Sequence, residues 1–194
     1  MQARLDLYTR AEKVLGFPMH VGAFVSFYNA EALEGAGIDY TTIETWDDFK
    51  AAGVTYKEAT GKNFGIASTT VNFVEPLIVA QLGGNFFDEN GDVDVANPDV
   101  VKAFEIQKDM LDAGAIGTIP GGSPDDEQAF GAINNGDYAA VVYPAWYTSR
   151  FVDYMPDLEG KVAIAPAPVV EGGEVDTIGG GGTGTAVIES SPKK

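Results

Sequence analysis

The chain has 194 residues, 45% of them hydrophobic, enough to build a packed core and too many for a disordered segment. Its 12 Lys and Arg against 29 Asp and Glu leave a formal charge of −17 at pH 7, which argues against nucleic acid or an anionic membrane as partner. There are no cysteines, so disulfides, thiolate metal sites and cysteine nucleophiles are excluded, and no apolar run reaches the roughly 20 residues of a membrane-spanning helix.

Residues 17–29, FPMHVGAFVSFYN, read as an extended strand that is apolar on both faces, the pattern of a strand covered on both sides in an α/β sheet. Residues 30–36 predict a short helix ended by Gly37. Thr45-Trp46-Asp47-Asp48-Phe49 is a helix start, with Thr45 as N-cap and Asp48 in the capping-box position; Trp46 beside it is expected to pack. Phe64–Ala67 reads as a strand and residues 73–82 as a buried helix, Pro76 being tolerable only in its first turn. Asp88–Val95 predicts a turn at Asn90-Gly91 and then a short strand. Asn97-Pro98 opens a helix whose Val101, Phe104 and Leu111 mark one face as far as Gly114.

A Gly/Pro loop follows over 117–124, then a helix over 125–134 that stops at Asn135-Gly136, and a short apolar strand, Ala139–Val142. That strand breaks at Pro144 and delivers Trp146-Tyr147 to its far end. An aromatic pair placed there is either core packing or a flat apolar ring offered to the apolar face of a sugar. Residues 146–154 read as helical, and Lys161–Ala165 as a strand closed by Pro166 and Pro168. The glycine-rich run Gly179–Gly184 suits a loop, either a hinge or a close backbone approach to a ligand, ahead of a strand at Thr185–Ile188.

Few of the chemical motifs hold up. Asp88-x-Asn90-x-Asp92-x-Asp94 resembles the opening of a calcium loop, but Val93 stands where that loop needs glycine and Asp99 where it needs glutamate, so a solvated acidic turn is expected and no metal. The run Gly179–Gly184 lacks the Lys-Ser/Thr of a phosphate loop, and no cofactor is implied. His20 is the sole histidine and no G-x-S-x-G elbow exists, so no catalytic residue is assigned. Glu75, inside an apolar run, reads as a first-turn helix acid, although a raised-pKa acid or a hydroxyl-binding group would also fit.

In order along the chain, these segments resemble the extracellular solute-binding proteins of sugar ABC transporters, the group that includes maltodextrin-binding proteins. GFPMHVGAFVSFYNAEALEGAGID is similar to the family's strand-and-helix block, and Thr45-Trp46-Asp47-Asp48-Phe49 to its T-W-[DE]-[DE]-F helix start. Gly61–Gly65 is similar to its G-K-x-x-G turn. Leu82-Gly83-Gly84, Phe87-Asp88, Asn97-Pro98, Gly114, Ala129-Phe130 and Gly136-Asp137-Tyr138-Ala139-Ala140-Val141 keep the family order, and Tyr143-Pro144-Ala145-Trp146-Tyr147 resembles its G-P-W signature.

The resemblance implies an α/β lobe with a mixed, mostly parallel sheet flanked by helices, one half of an incomplete clamshell that closes about a hinge. It implies that the chain begins where the family has finished most of its first lobe and stops before its closing helices. Residues 1–160 would be the second lobe, and 161–194 a Gly-rich hinge strip returning to the missing first lobe. It implies sugar binding, mono- or oligosaccharide, outside the cytoplasm (periplasm or cell-surface lipoprotein), with ABC permease transmembrane subunits as partners and no reaction catalysed. Trp146 would stack on a sugar ring with Tyr147 beside it. Thr70, Asn72 and Phe73 would form a contact loop. Gly22 stands where some members have a carboxylate, His20 could replace that contact, and Gly181 within Gly180–Thr183 would offer backbone groups. Neutral polar groups around an aromatic platform imply a neutral sugar, while Arg150 nearby leaves an anionic one open. A glycoside hydrolase and a ligand-incompetent fragment remain the alternatives.

Overall fold

The computed structural model describes residues 5–71 and 73–192. A small hairpin, β1 (Thr9–Arg10) with β2 (Lys13–Val14), leads into the 13-residue strand β3 (Phe17–Asn29), about which everything else is arranged. Asn29 ends β3 by turning its side chain back to accept from the Ala32 amide, which caps α1 (Ala30–Gly35). Thr45 and Asp48 form the expected reciprocal capping box at the start of α2 (Trp46–Thr60), and Gly61 at φ +73° ends it. Then come β4 (Gly65–Ala67), α3 (Val74–Gln81), α4 (Pro98–Asp112) with Asn97 as cap, β5 (Ile116–Thr118), α5 (Glu127–Asn134), β6 (Ala140–Pro144), α6 (Thr148–Tyr154), β7 (Val162–Pro166) and β8 (Gly179–Thr185).

β3 is shared between two structures. Its C-terminal half lies between β6 and β7, antiparallel to both, from Phe24 opposite Pro144 to Asn29 opposite Val162. Its N-terminal half leaves that sheet and pairs antiparallel with β8, with register shifts between Pro18 and His20 and between Val21 and Ala23. The parallel pair β4–β5 joins the far side of β6, where the Ala139 and Ala140 amides both donate to the Phe64 carbonyl and Asn63 bridges Tyr138 in parallel. The sheet is therefore mixed, but the expected mostly parallel arrangement is not found: all three ladders of the central strand are antiparallel. A strand apolar on both faces reports burial on both sides and carries no information about the direction of its neighbours.

Two further expectations change. The run Gly179–Gly184 is not a loop: it is strand β8, while Ala186–Ile188 beyond it carries no strand. The cause is spatial. A Cβ on Gly22 would come within 2.9 Å of the Gly180 carbonyl oxygen, and one on Gly180 within 2.8 Å of Pro144 Cβ. The ribbon closes only because side chains are missing where its backbones meet. Asp92–Val95 forms no strand either; Phe87 and Val93 share a single bridge, and the Asp88 carboxylate accepts from the Asn90 and Asp92 amides as an acidic turn.

Strand alternation divides the interior in two. Phe24 and Tyr28 of β3, with Ala140 and Val142 of β6, face a core built with Leu33, Trp46, Phe49, Phe64, Leu77 and Met110. Phe27, with Val141 and Tyr143, faces a second core of Phe130, Ile133, Tyr147, Met155 and Leu158. Trp46 packs as expected, buried, its indole N–H donating to Gln81 Oε1 at 2.9 Å. The Gln81 amide then donates to the carbonyls of Pro168 and Asp176, both at 2.9 Å, and its own carbonyl accepts from Glu174. One buried glutamine thus ties the 168–176 segment between β7 and β8 to the body.

Candidate functional site

Pro144 ends the β6 ladder, and the chain turns through a single helical turn, Ala145–Tyr147, into α6. That turn sets Trp146 half-buried at the strand's exit. Its ring meets Tyr143 edge-on, with centroids 5.4 Å apart at 74°. Gly22 and Gly181 hold the pyrrole side: an ideal Cβ on Gly181 would lie 3.2 Å from Trp146 Nε1, and one on Gly22 3.8 Å from Cδ1. Gly181 has φ +91°, a conformation that glycine adopts without strain. Gly22, Gly181 and Trp146, three of the residues expected from the sequence, therefore meet at one place.

Tyr147 does not share the exposure of its neighbour. It is fully buried and its hydroxyl donates to the Pro124 carbonyl at 2.6 Å, so it supports Trp146 from below. Burial pushes the pKa of its hydroxyl far above the ordinary tyrosine value, and the phenol stays neutral. Phe73 is half-buried and packs edge-on against Tyr143, centroids 4.9 Å apart at 68°. The Thr69 and Thr70 amides both donate to the Gly122 carbonyl, which leaves the two threonine side chains exposed. Asn72 lies outside the described residues. His20 is on the exposed half of β3, its Nδ1 2.9 Å from Thr183 Oγ1, so its polar contact is with the neighbouring strand.

Three residues outside the expected contact set complete the geometry: Tyr143, to which the sequence assigned no site role, Arg150, which the resemblance placed nearby, and Asp125, which the sequence did not mark. Tyr143 is the aromatic hub, touching Phe73, Trp146 and Tyr147. Period-2 alternation in β6 assigns it only to a core face, which is where it lies. Arg150 places its guanidinium 5.5 Å from the Trp146 ring centroid, and Asp125 receives that guanidinium on both carboxylate oxygens, with Nη2 at 3.3 Å. Arg150 is thereby neutralised by Asp125. Asp125 follows Pro124 in an acidic loop, 25 residues before Arg150, and no local pattern links the two. Glu75 opens α3 and is buried; loss of solvation pushes its carboxyl above the usual carboxylate range. The arrangement offers a supported aromatic face, backbone groups on glycines and exposed threonine hydroxyls. Among the described residues, no group of three or more His, Cys, Asp or Glu is arranged to hold a metal ion.

The pattern that defines the bacterial extracellular solute-binding proteins matches residues 3–194. The chain belongs to that family. It is 38% identical over 191 residues to the arabinooligosaccharide-binding protein of Bacillus subtilis and 39% identical over 192 residues to that of Halalkalibacterium halodurans. Each match covers 98% of this chain but only 44% and 43% of the relative, so the chain spans less than half the length of these curated relatives. Among solved structures, an ABC transporter associated binding protein from B. animalis subsp. lactis, in complex with β-1,6-galactobiose, superposes with a TM-score of 0.80 at 25% identity, over 98% of this chain and 47% of that one. The GacH receptor of Streptomyces glaucescens shares the fold with a TM-score of 0.77 at 22% identity, over 99% of this chain and 48% of that one. The solute-binding fold is thus a mixed α/β lobe here, and no helix among the described residues is long and apolar enough to cross a membrane.

Proposed function

We propose that this chain is the second lobe of an extracytoplasmic sugar-binding protein that captures an oligosaccharide and presents it to the transmembrane subunits of an ABC importer. The observation that carries the reading is the half-buried Trp146 ring, braced by Tyr143 and Tyr147 and approached by the glycines of both ribbon strands. An immobilised aromatic face beside exposed hydroxyls suits the alternating C–H and O–H surface of a sugar. Thr70 and Phe73 are assigned to the contact loop, and Gly22 and Gly181 to the ribbon side of the ring; Asn72, outside the described residues, is assigned to the loop on the family resemblance alone. His20 and Thr183 lie further along the ribbon. Tyr147 acts beneath the ring. The pairing of Arg150 with Asp125 favours a neutral ligand over an anionic one. The family, and the named specificity of the two relatives near 40% identity, support an arabinooligosaccharide as the first sugar to try.

The lobe would cover residues 1–160, and the strip 161–194 would lead back to a first lobe. Within that strip β7 is built into the body sheet and 168–176 is tied down by Gln81, so the hinge proper is assigned to the β3–β8 ribbon, residues 17–23 with 179–185. Leu15, Phe17 and Met19, exposed at 56%, 66% and 66%, lie along or just before this ribbon and are suited to cover by the missing lobe.

The test is a titration with arabinotriose and a panel of other neutral oligosaccharides, read by tryptophan fluorescence and melting temperature. It uses this chain and a version extended to the length of the relatives, each also as Trp146→Ala. Saturable stabilisation by one sugar, lost in Trp146→Ala, is expected at least in the extended protein. Saturable binding that survives Trp146→Ala would remove the platform, and no binding in the extended protein across the panel would overturn the sugar reading.

A further inference from the structure

Trp146 is fixed on three sides, and two of them are made by aromatic rings and by ribbon glycines. Tyr143 and Tyr147 meet the ring edge-on, at 74° and 67° between planes, and the ribbon glycines abut its pyrrole side. The third side is charged. Arg150, in the first turn of α6, lies over the ring at 5.5 Å from its centroid. A flexible arginine would make a poor clamp, because holding it still costs side-chain entropy. Here that entropy is already removed. Asp125, on the loop after β5, binds the fork of the guanidinium at both oxygens, and the side chains of the pair are only 31% and 27% exposed. The carboxylate–guanidinium geometry is planar and directional, so it fixes the orientation of the guanidinium as well as its position.

We propose that Asp125 and Arg150 form a positioning clamp that holds the Trp146 ring in one rotamer and reserves its opposite face for ligand. Neither residue touches the ligand; both act through the indole. The pair also joins two elements far apart in sequence, the 119–126 loop and α6, so the attitude of the ring is set by both. This proposal rests on the reading of Trp146 as the sugar platform, but its immediate consequence, the immobility of the indole, exists without ligand.

The clamp is therefore tested first on the ligand-free chain. Time-resolved fluorescence anisotropy reads local motion of Trp146, with the contribution of Trp46, buried and hydrogen-bonded to Gln81, subtracted from a Trp146→Phe sample. Asp125→Asn leaves the arginine in place but weakens its anchor, and Arg150→Met leaves a side chain of similar length without charge. Both are expected to raise the amplitude of the fast anisotropy decay about twofold, with Arg150→Lys in between, as loss of a bidentate charged contact implies. Shielding or helix stability alone would shift the melting temperature without freeing the ring; unchanged anisotropy in both Asp125→Asn and Arg150→Met overturns the clamp. Calorimetric titration of the same substitutions, made in the protein extended to the length of the relatives, with arabinotriose is expected to show affinity weakened roughly fivefold in Arg150→Met. If the unsubstituted extended protein takes up no arabinotriose, the choice of sugar fails there, while the anisotropy still decides the clamp.

Discussion

Glu75 shows how one residue can look functional in sequence for a reason that turns out to be burial. It sits at the start of α3, only 8% exposed, and desolvation raises its carboxyl above the ordinary value of 4.5. The folded chain therefore holds a proton there that the unfolded chain has already released. Stability contributed by this group is complete below pH 4.5 and is lost as pH rises from there through the raised folded value. Glu75→Gln is expected to leave the melting temperature near pH 4 unchanged and to raise it by a few degrees at pH 7, a comparison made by calorimetry at the two pH values. An equal effect at both would mean that ionisation of Glu75 is not the cause. At the same scale, Trp146 and Tyr147 are neighbours in sequence with opposite fates: one half-buried and presented, one buried with its hydroxyl spent on Pro124. Sequence marked the pair as aromatic at a strand exit. Which ring faced outward depended on the helical turn after Pro144.

The β3–β8 ribbon makes the same point at the level of the element. A run such as Gly179–Gly184 has low intrinsic strand preference, and taken alone it reads as a loop. It becomes a strand because β3 offers a ladder and because Gly22 and Gly180 let two backbones approach more closely than Cβ atoms allow. Gly180→Ala would drive a methyl group to 2.8 Å from Pro144 Cβ and 3.1 Å from Phe24 Cδ2. A loss of about 1–3 kcal/mol is expected from such overpacking, measured by denaturant unfolding. Because Pro144 leads directly to Trp146, the same substitution is also expected to shift tryptophan emission. A stable, spectrally unchanged Gly180→Ala protein would show that the ribbon is loose. The capped helices, by contrast, were readable in advance. Thr45 with Asp48 and Asn97 with Pro98 satisfy helix N-termini by contacts within a few residues, and the structure realises both.

Across the whole molecule, a well-buried double core coexists with an apolar fringe. Leu7, Leu15, Phe17, Met19, Val187 and Ile188 are 56% to 82% exposed, all near the two ends of the described chain and none in either core. Such a surface is expected to drive weak self-association, growing with concentration in sedimentation velocity and reduced in the double substitution Phe17→Ser with Met19→Ser. Concentration-independent monomers would show that the fringe is tolerated by water. What the sequence determined by itself was whatever short-range chemistry can fix: element types, helix caps, the two-faced burial of β3 and, through motifs in register, the family. The tertiary structure alone decided three things. It set the antiparallel direction of the central ladders, since burial patterns do not encode strand direction. It turned the glycine run into a strand, since its partner lies some 160 residues earlier in the chain. It also brought Asp125 to the Arg150 that lies one helical turn beyond Trp146, because a loop and a helix joined by an ion pair leave no periodic trace in the residues between them.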